Sequence, residues 1–174
     1  MELMPSACYS RTNRHRTYLD MSRDLYSELL TAYEQHVSPG ASTLDLARTE
    51  ELIINGRAVS FSFIPNESSP EDSMVIARTD VARFTQSPSQ DLCRLLLQAN
   101  NLWAGTAGST LGLRGNDTLT MSAARRIGSL DAATLEAMLN TLCDDAEGWA
   151  ERLTAKPKRD PSPPEFQHML HMRA

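Results

Sequence analysis

Lysine is nearly missing from this 174-residue sequence: of 17 basic residues only Lys156 and Lys158 are lysines, and both sit in the Pro-rich run KPKRDPSPPEF. A P-loop needs a Lys directly after its glycines to reach the phosphates, and a Schiff-base enzyme needs a buried amine. Neither has a candidate here. Cysteine is sparse as well: Cys8, Cys93 and Cys143 are odd in number and lack the close spacing of zinc or redox pairs, so reduced thiols in the cytoplasm are expected. Of four histidines, only His36 lies away from the ends, which leaves proton-shuttling chemistry with few participants. His168 and His171 can face one way on a helical turn, but no third ligand is near, and neither metal nor cofactor is expected. No apolar run approaches the roughly 18 residues that span a bilayer, and the opening MELMPSACYSRTNRHR lacks the apolar core of a secretory signal. A net charge of -5 argues against partnership with nucleic acid or a membrane surface, which are held by clustered Lys and Arg.

What is present is 41% hydrophobic residues in periodic runs, enough for one globular domain. Residues 1–19 show no apolar period and read as a flexible basic arm, residues 155–174 as a Pro-rich tail, and residues 20–154 as the folded body. A first helix is expected from Asp20 or Ser22 to about Val37, because Met21, Leu25, Leu29, Ala32 and Tyr33 recur at steps of three and four. Asn55-Gly56 then marks a two-residue hairpin turn. Val59, Phe61 and Phe63 alternate with Ser60 and Ser62, giving a strand with one oily face. MVIARTDVARF reads as a third strand, with weak alternation.

Pro88 is expected to open a second helix that runs to about Trp103. Leu92, Leu95, Leu96, Ala99, Leu102 and Trp103 make one stripe, and Cys93 and Leu97 widen it beyond what one sheet face can cover. A second partner is implied, and the same helix of another copy would serve. The small residues that follow, GTAGSTLG, pose a choice between a phosphate cradle and a hinge. They carry no Lys and lead into a strand, so the hinge is preferred. Two strands follow around Arg114-Gly115-Asn116-Asp117. A third helix, capped by Ser129 or Asp131, repeats Leu135, Met138, Leu139, Leu142, Ala146, Trp149 and Leu153. The expected order is α-β-β-β-α-β-β-α, an α+β fold with a five-stranded antiparallel sheet and three helices.

That order, with LLLQANNLWAGTAGSTLGL and SLDAATLEAMLNTLCDDAEGWAERL, resembles the small acidic chaperones of type III secretion, the Tir-chaperone class, over residues 20–154. The resemblance implies a homodimer built on the second helix and neighbouring strands, with apolar grooves that take the N-terminal region of a secreted effector in extended form and no catalysis. Leu25, Leu29, Val59, Phe61 and Phe63 are the candidate groove lining, though each also suits plain core. Leu97, Asn100, Trp103, Leu111 and Leu113 are the candidate dimer contacts; Trp103 equally suits a core position, and Asn100 a helix cap. Two alternatives stay open: an adaptor that docks cargo on the secretion ATPase, and a small α+β enzyme with a Gly-rich ligand loop.

Overall fold

The computed structural model describes residues 7–40, 45–103, 105–106 and 108–154; the Pro-rich tail and the first residues of the basic arm lie outside them. The first helix, α1 (Ala7–Val37), starts well ahead of Asp20. No Pro or Gly interrupts residues 7–37, so nothing stops the helix until Ser38-Pro39-Gly40; Ser22, Tyr26, Leu29, Leu30 and Tyr33 are its buried residues among residues 18–37. A one-turn helix, α2 (Leu46–Thr49), follows and buries Leu46.

Strands β1 (Glu51–Ile54) and β2 (Arg57–Ile64) form the expected hairpin, with φ of 50° at Asn55 and 80° at Gly56, the positive pair that a type I′ turn requires. In β3 (Met74–Arg83) the inward residues are Val75, Ala77, Thr79 and Val81. Thr79 explains the weak alternation: it occupies an apolar position, and its hydroxyl donates to the Ala58 carbonyl at 2.8 Å.

Helix α3 (Gln90–Asn100) is capped by Ser89, whose Oγ accepts from the Leu92 N–H at 3.2 Å. Pro88 therefore precedes the cap and does not open the helix. The small-residue segment folds back on the end of α3. The Gly105 N–H donates to the Ala99 carbonyl, and a Cβ on Gly105 would sit 3.1 Å from that of Ala99, so a larger residue would push the segment back by a few tenths of an ångström. The segment enters β4 (Thr110–Arg114), as a hinge should, and β5 (Thr118–Arg126) returns antiparallel to it.

All neighbours in the sheet are antiparallel, in the order β1-β2-β3-β5-β4. Helix α4 (Ala132–Thr154) begins with a reciprocal cap: Asp131 Oδ1 accepts from the Thr134 N–H, and Thr134 Oγ1 accepts from the Asp131 N–H, both at 2.8 Å. The bonds from Thr134 hold the Asp131 carboxyl below its ordinary range. Leu135, Leu139, Leu142, Ala146 and Trp149 of α4 meet Tyr26, Leu30 and Tyr33 of α1 and the inner sheet face in one core. The opposite face carries the polar cross-strand row Ser60, Arg78, Ser122 and Thr110. The molecule is an α+β layer pair with one sheet face covered by helices.

Candidate functional site

Beside the single exposed side chains Ile53 on the β1 edge and Ile64 at the end of β2, two clusters of apolar residues stand open on this frame. The first is a groove along α1. Met21, Leu25, Leu29 and Ala32, spaced by four, four and three residues, form one wall. The facing wall comes from two 3-10 turns, Pro70–Asp72 and Ile127–Ser129, and from Leu130. The turns are tied by the Ile127 N–H, which donates to the Ser73 carbonyl at 2.8 Å. They also approach closely, since a Cβ on Gly128 would lie 3.0 Å from both the Cβ and the carbonyl oxygen of Glu71. Two cavities, of about 440 and about 540 Å³, share Leu25, Glu28 and Glu71 and so form one groove. Asp24, Glu28, Glu71 and Asp131 line it, with no Lys, Arg or His among the lining residues.

The second surface lies where α3 meets the β4 edge. Leu97 is 73% exposed and Trp103 58%, with Leu95 and Leu113 also open to solvent. Trp103 has φ of 53°, a conformation that costs a bulky residue about 1–3 kcal/mol. Its side chain is mostly outside, at 58% exposure. Asn100 fixes the frame: its Nδ2 donates to the Leu111 carbonyl at 2.8 Å, and its Oδ1 accepts from the Leu111 N–H at 2.9 Å. Leu111 thus turns its backbone polar groups away from β5, and strand alternation turns those of Leu113 the same way, to an edge with no further strand among the described residues. Three ion pairs lie on the elements around this surface, Asp91 with Arg94, Asp80 with Arg114, and Asp117 with Arg83, at 3.4, 2.7 and 3.6 Å, while Arg125, beside Gly108, bonds only the Ala124 carbonyl among the described residues.

The structure redistributes the residues expected to bind. Leu25 lines the groove, and Leu29 lies at its floor and in the core. Val59 and Phe61 do not line it: at 1% and 4% exposure they are core, because α1 and α4 cover the face of β2 that the sequence pattern leaves oily. Phe63 is half-buried and stacks on Tyr26, centroids 4.8 Å apart; burial lifts the phenol of Tyr26 above its ordinary range. On the other surface, Leu97, Trp103 and Leu113 are exposed, whereas Leu111, at 4%, is core. The Asn100 amide bonds within its own protomer instead of across a two-fold axis. Met21, Glu71, Ile127 and Leu130 complete the groove and escaped the sequence reading as groove residues. Met21 had a signal, its place in the α1 stripe; the others come together only through the tertiary fold.

An antiparallel sheet with one helical layer, an unpaired edge and two exposed apolar surfaces defines a protein-binding α+β module. The family model of the Tir chaperone protein (CesT) family matches residues 43–150, and the chain belongs to that family, as the resemblance in its residues implies. Helix α1 lies ahead of the matched region. Among solved structures, the fold is similar to that in the crystal structure of the ExsC-ExsE complex: 18% identity, 78% of this chain and 98% of that one, TM-score 0.59. It is similar also to the HopA1-SchA chaperone-effector complex, at 20% identity over 76% of this chain and 98% of that one, TM-score 0.56. The Yersinia pestis type III secretion chaperone SycH, in complex with a stable fragment of YscM2, aligns at 19% identity over 70% and 96% with TM-score 0.50. No curated protein matches the chain. Among the described residues, no helix is long and apolar enough to cross a membrane.

Proposed function

We propose that this protein is a cytoplasmic, homodimeric chaperone of type III secretion that holds the N-terminal region of one or more effectors in extended form and catalyses no reaction. The observation that carries the reading is the coexistence of two open apolar surfaces with different electrostatics. Across a two-fold interface a patch meets its own copy, so like charges on its rim face one another. The groove, rimmed by four carboxylates, is ill-suited to that and suits a client. The α3/β4 surface, whose charges are of both signs and mostly paired, suits a second copy. Its exposed Leu97, Trp103 and Leu113 each return part of the roughly 1.5–3 kcal/mol that full burial gives, and their symmetry mates double the gain set against the cost of association. Membership of a chaperone family and likeness to a fold solved with bound effectors support the same assignment.

The deciding experiment is affinity purification of the protein from its native cell, with identification of what co-elutes. A secreted polypeptide captured through its N-terminal portion is expected. Recovery of the chain alone, under conditions in which that cell makes its secreted proteins, would refute the client assignment.

A further inference from the structure

The groove has a charge pattern that narrows what it takes. It runs from Met21 to Ala32 along α1, eleven helical rises or about 16 Å, a length that about five extended residues cover. Its floor is apolar: Leu25, Leu29 and Ile127. Every ionisable side chain on its lining is an acid, Asp24, Glu28, Glu71 and Asp131, and none has a cationic partner among the described residues. Arg126, next to Ile127 in the chain, is engaged with Asp72 at 3.4 Å. All four acids are exposed and keep their charge cheaply in water; Asp131 also caps α4 through Oδ1, whereas Asp24, Glu28 and Glu71 have no such task in the fold among the described residues. They become useful when something covers the floor and excludes solvent, because each then faces the flank of the bound segment at short range.

We infer that the groove selects a basic amphipathic segment: apolar anchors on Leu25, Leu29 and Ile127, flanked on both sides by Arg or Lys that meet Asp24 and Glu28 on one wall and Glu71 and Asp131 on the other. The apolar floor supplies affinity and accepts many sequences. The carboxylate rim supplies discrimination, favouring cationic flanks and repelling acidic ones. This rests on the groove being the client site, and it adds the chemical class of the client.

The test uses the full chain and two short synthetic peptides with the same Leu and Phe anchors, one flanked by Arg and the other by Glu, with binding read by fluorescence anisotropy. The Arg peptide is expected to bind about tenfold tighter, since two or three exposed pairs contribute a factor of that order. Raising salt from about 0.01 M to about 1 M, which shortens the Debye length from about 30 Å to about 3 Å, should erase most of the preference. Glu28→Gln with Glu71→Gln should do the same at low salt while the Glu peptide gains. Equal binding of the two peptides, binding of neither, or a preference untouched by the double substitution would overturn the inference. Leu25→Asp separates the two levels. If it abolishes binding while flank charge has no effect, the groove stands and the charge rule falls; if binding of the Arg peptide survives it, the groove is not the site.

Discussion

The α1 groove and the α3/β4 surface both offer apolar side chains, the groove through Met21, Leu25 and Leu130 above the nearly buried Leu29 and Ile127, the other through Leu97 and Trp103, and they differ also in what surrounds them. Around α3 and β4, three acids are matched by three arginines within the protomer, and a strained Trp103 stands outward. Around the groove, the four acids have no cationic partner among the described residues. Apolar area measures how much a surface gains from being covered; the charge balance at its rim governs what can cover it. A surface with balanced charge can meet itself, while one of a single sign needs a partner of the other.

The largest expected effect is on self-association. Leu97→Asp removes an apolar contact and introduces a charge at two symmetric positions, so about 3–6 kcal/mol, or a hundredfold or more in the dimer dissociation constant, is expected. Analytical ultracentrifugation over a concentration series would register it. An unchanged dimer would move the self-contact elsewhere and dissolve the contrast between the two surfaces. Leu25→Asp, on the other surface, should leave sedimentation as it is.

Trp103 provides a sharper version, because two effects should have opposite signs. Trp103→Gly removes the indole and relieves the positive φ. Self-association should weaken by about 2 kcal/mol or more, as for a buried aromatic anchor, while the isolated protomer should unfold at slightly higher denaturant, by up to about 1 kcal/mol. Loss of protomer stability would mean that the indole packs within its own chain.

Asn100→Leu tests the frame under that surface. Both bonded groups of Leu111 would lose their partner, and about 1–3 kcal/mol of stability with them, measured by urea unfolding. On the groove side, Gly128→Ala places a methyl 3.0 Å from Glu71, so the 3-10 turns must part. About 1 kcal/mol of stability and a several-fold change in peptide affinity are expected, with the dimer intact.

How these surfaces relate to the sequence depends on the range of the interactions. The hairpin at Asn55-Gly56, the α4 stripe and the hinge after Trp103 rest on local rules and were legible. So was the face shared by Val59, Phe61 and Phe63. What alternation along β2 cannot supply is the cover over that face, which comes from Tyr26 of α1 and from α4. The groove wall joins Leu25 to Pro70 and Ile127, residues far apart in the chain, and no periodicity marks such a meeting. Asn100 is similar: an amide near a helix end suits a cap, and only the return of β4 gives it the Leu111 backbone. Helix α2 is too short for a periodic signal and is bounded by Asp45 and Glu50 at positive φ, where glycine or asparagine is the usual marker.

The smallest expected effect comes from a charge outside both surfaces, and it serves as their control. Asp145 on α4 has a buried carboxylate oxygen with no hydrogen-bond partner among the described residues. Burial, and then the charge of Asp144, raise its pKa above the usual carboxylate value. The native state therefore holds this proton to higher pH than the unfolded chain does, and stability falls as pH rises through the raised value. Asp145→Asn removes that loss. At neutral pH the variant should unfold at modestly higher urea, and in acid, where the wild-type carboxyl is already protonated, the difference should vanish. Since Asp145 lines neither surface, sedimentation and peptide binding should both be unchanged. A shift in either would mean that stability alone tunes association, and that the contrast in rim charge is not what separates partner from client.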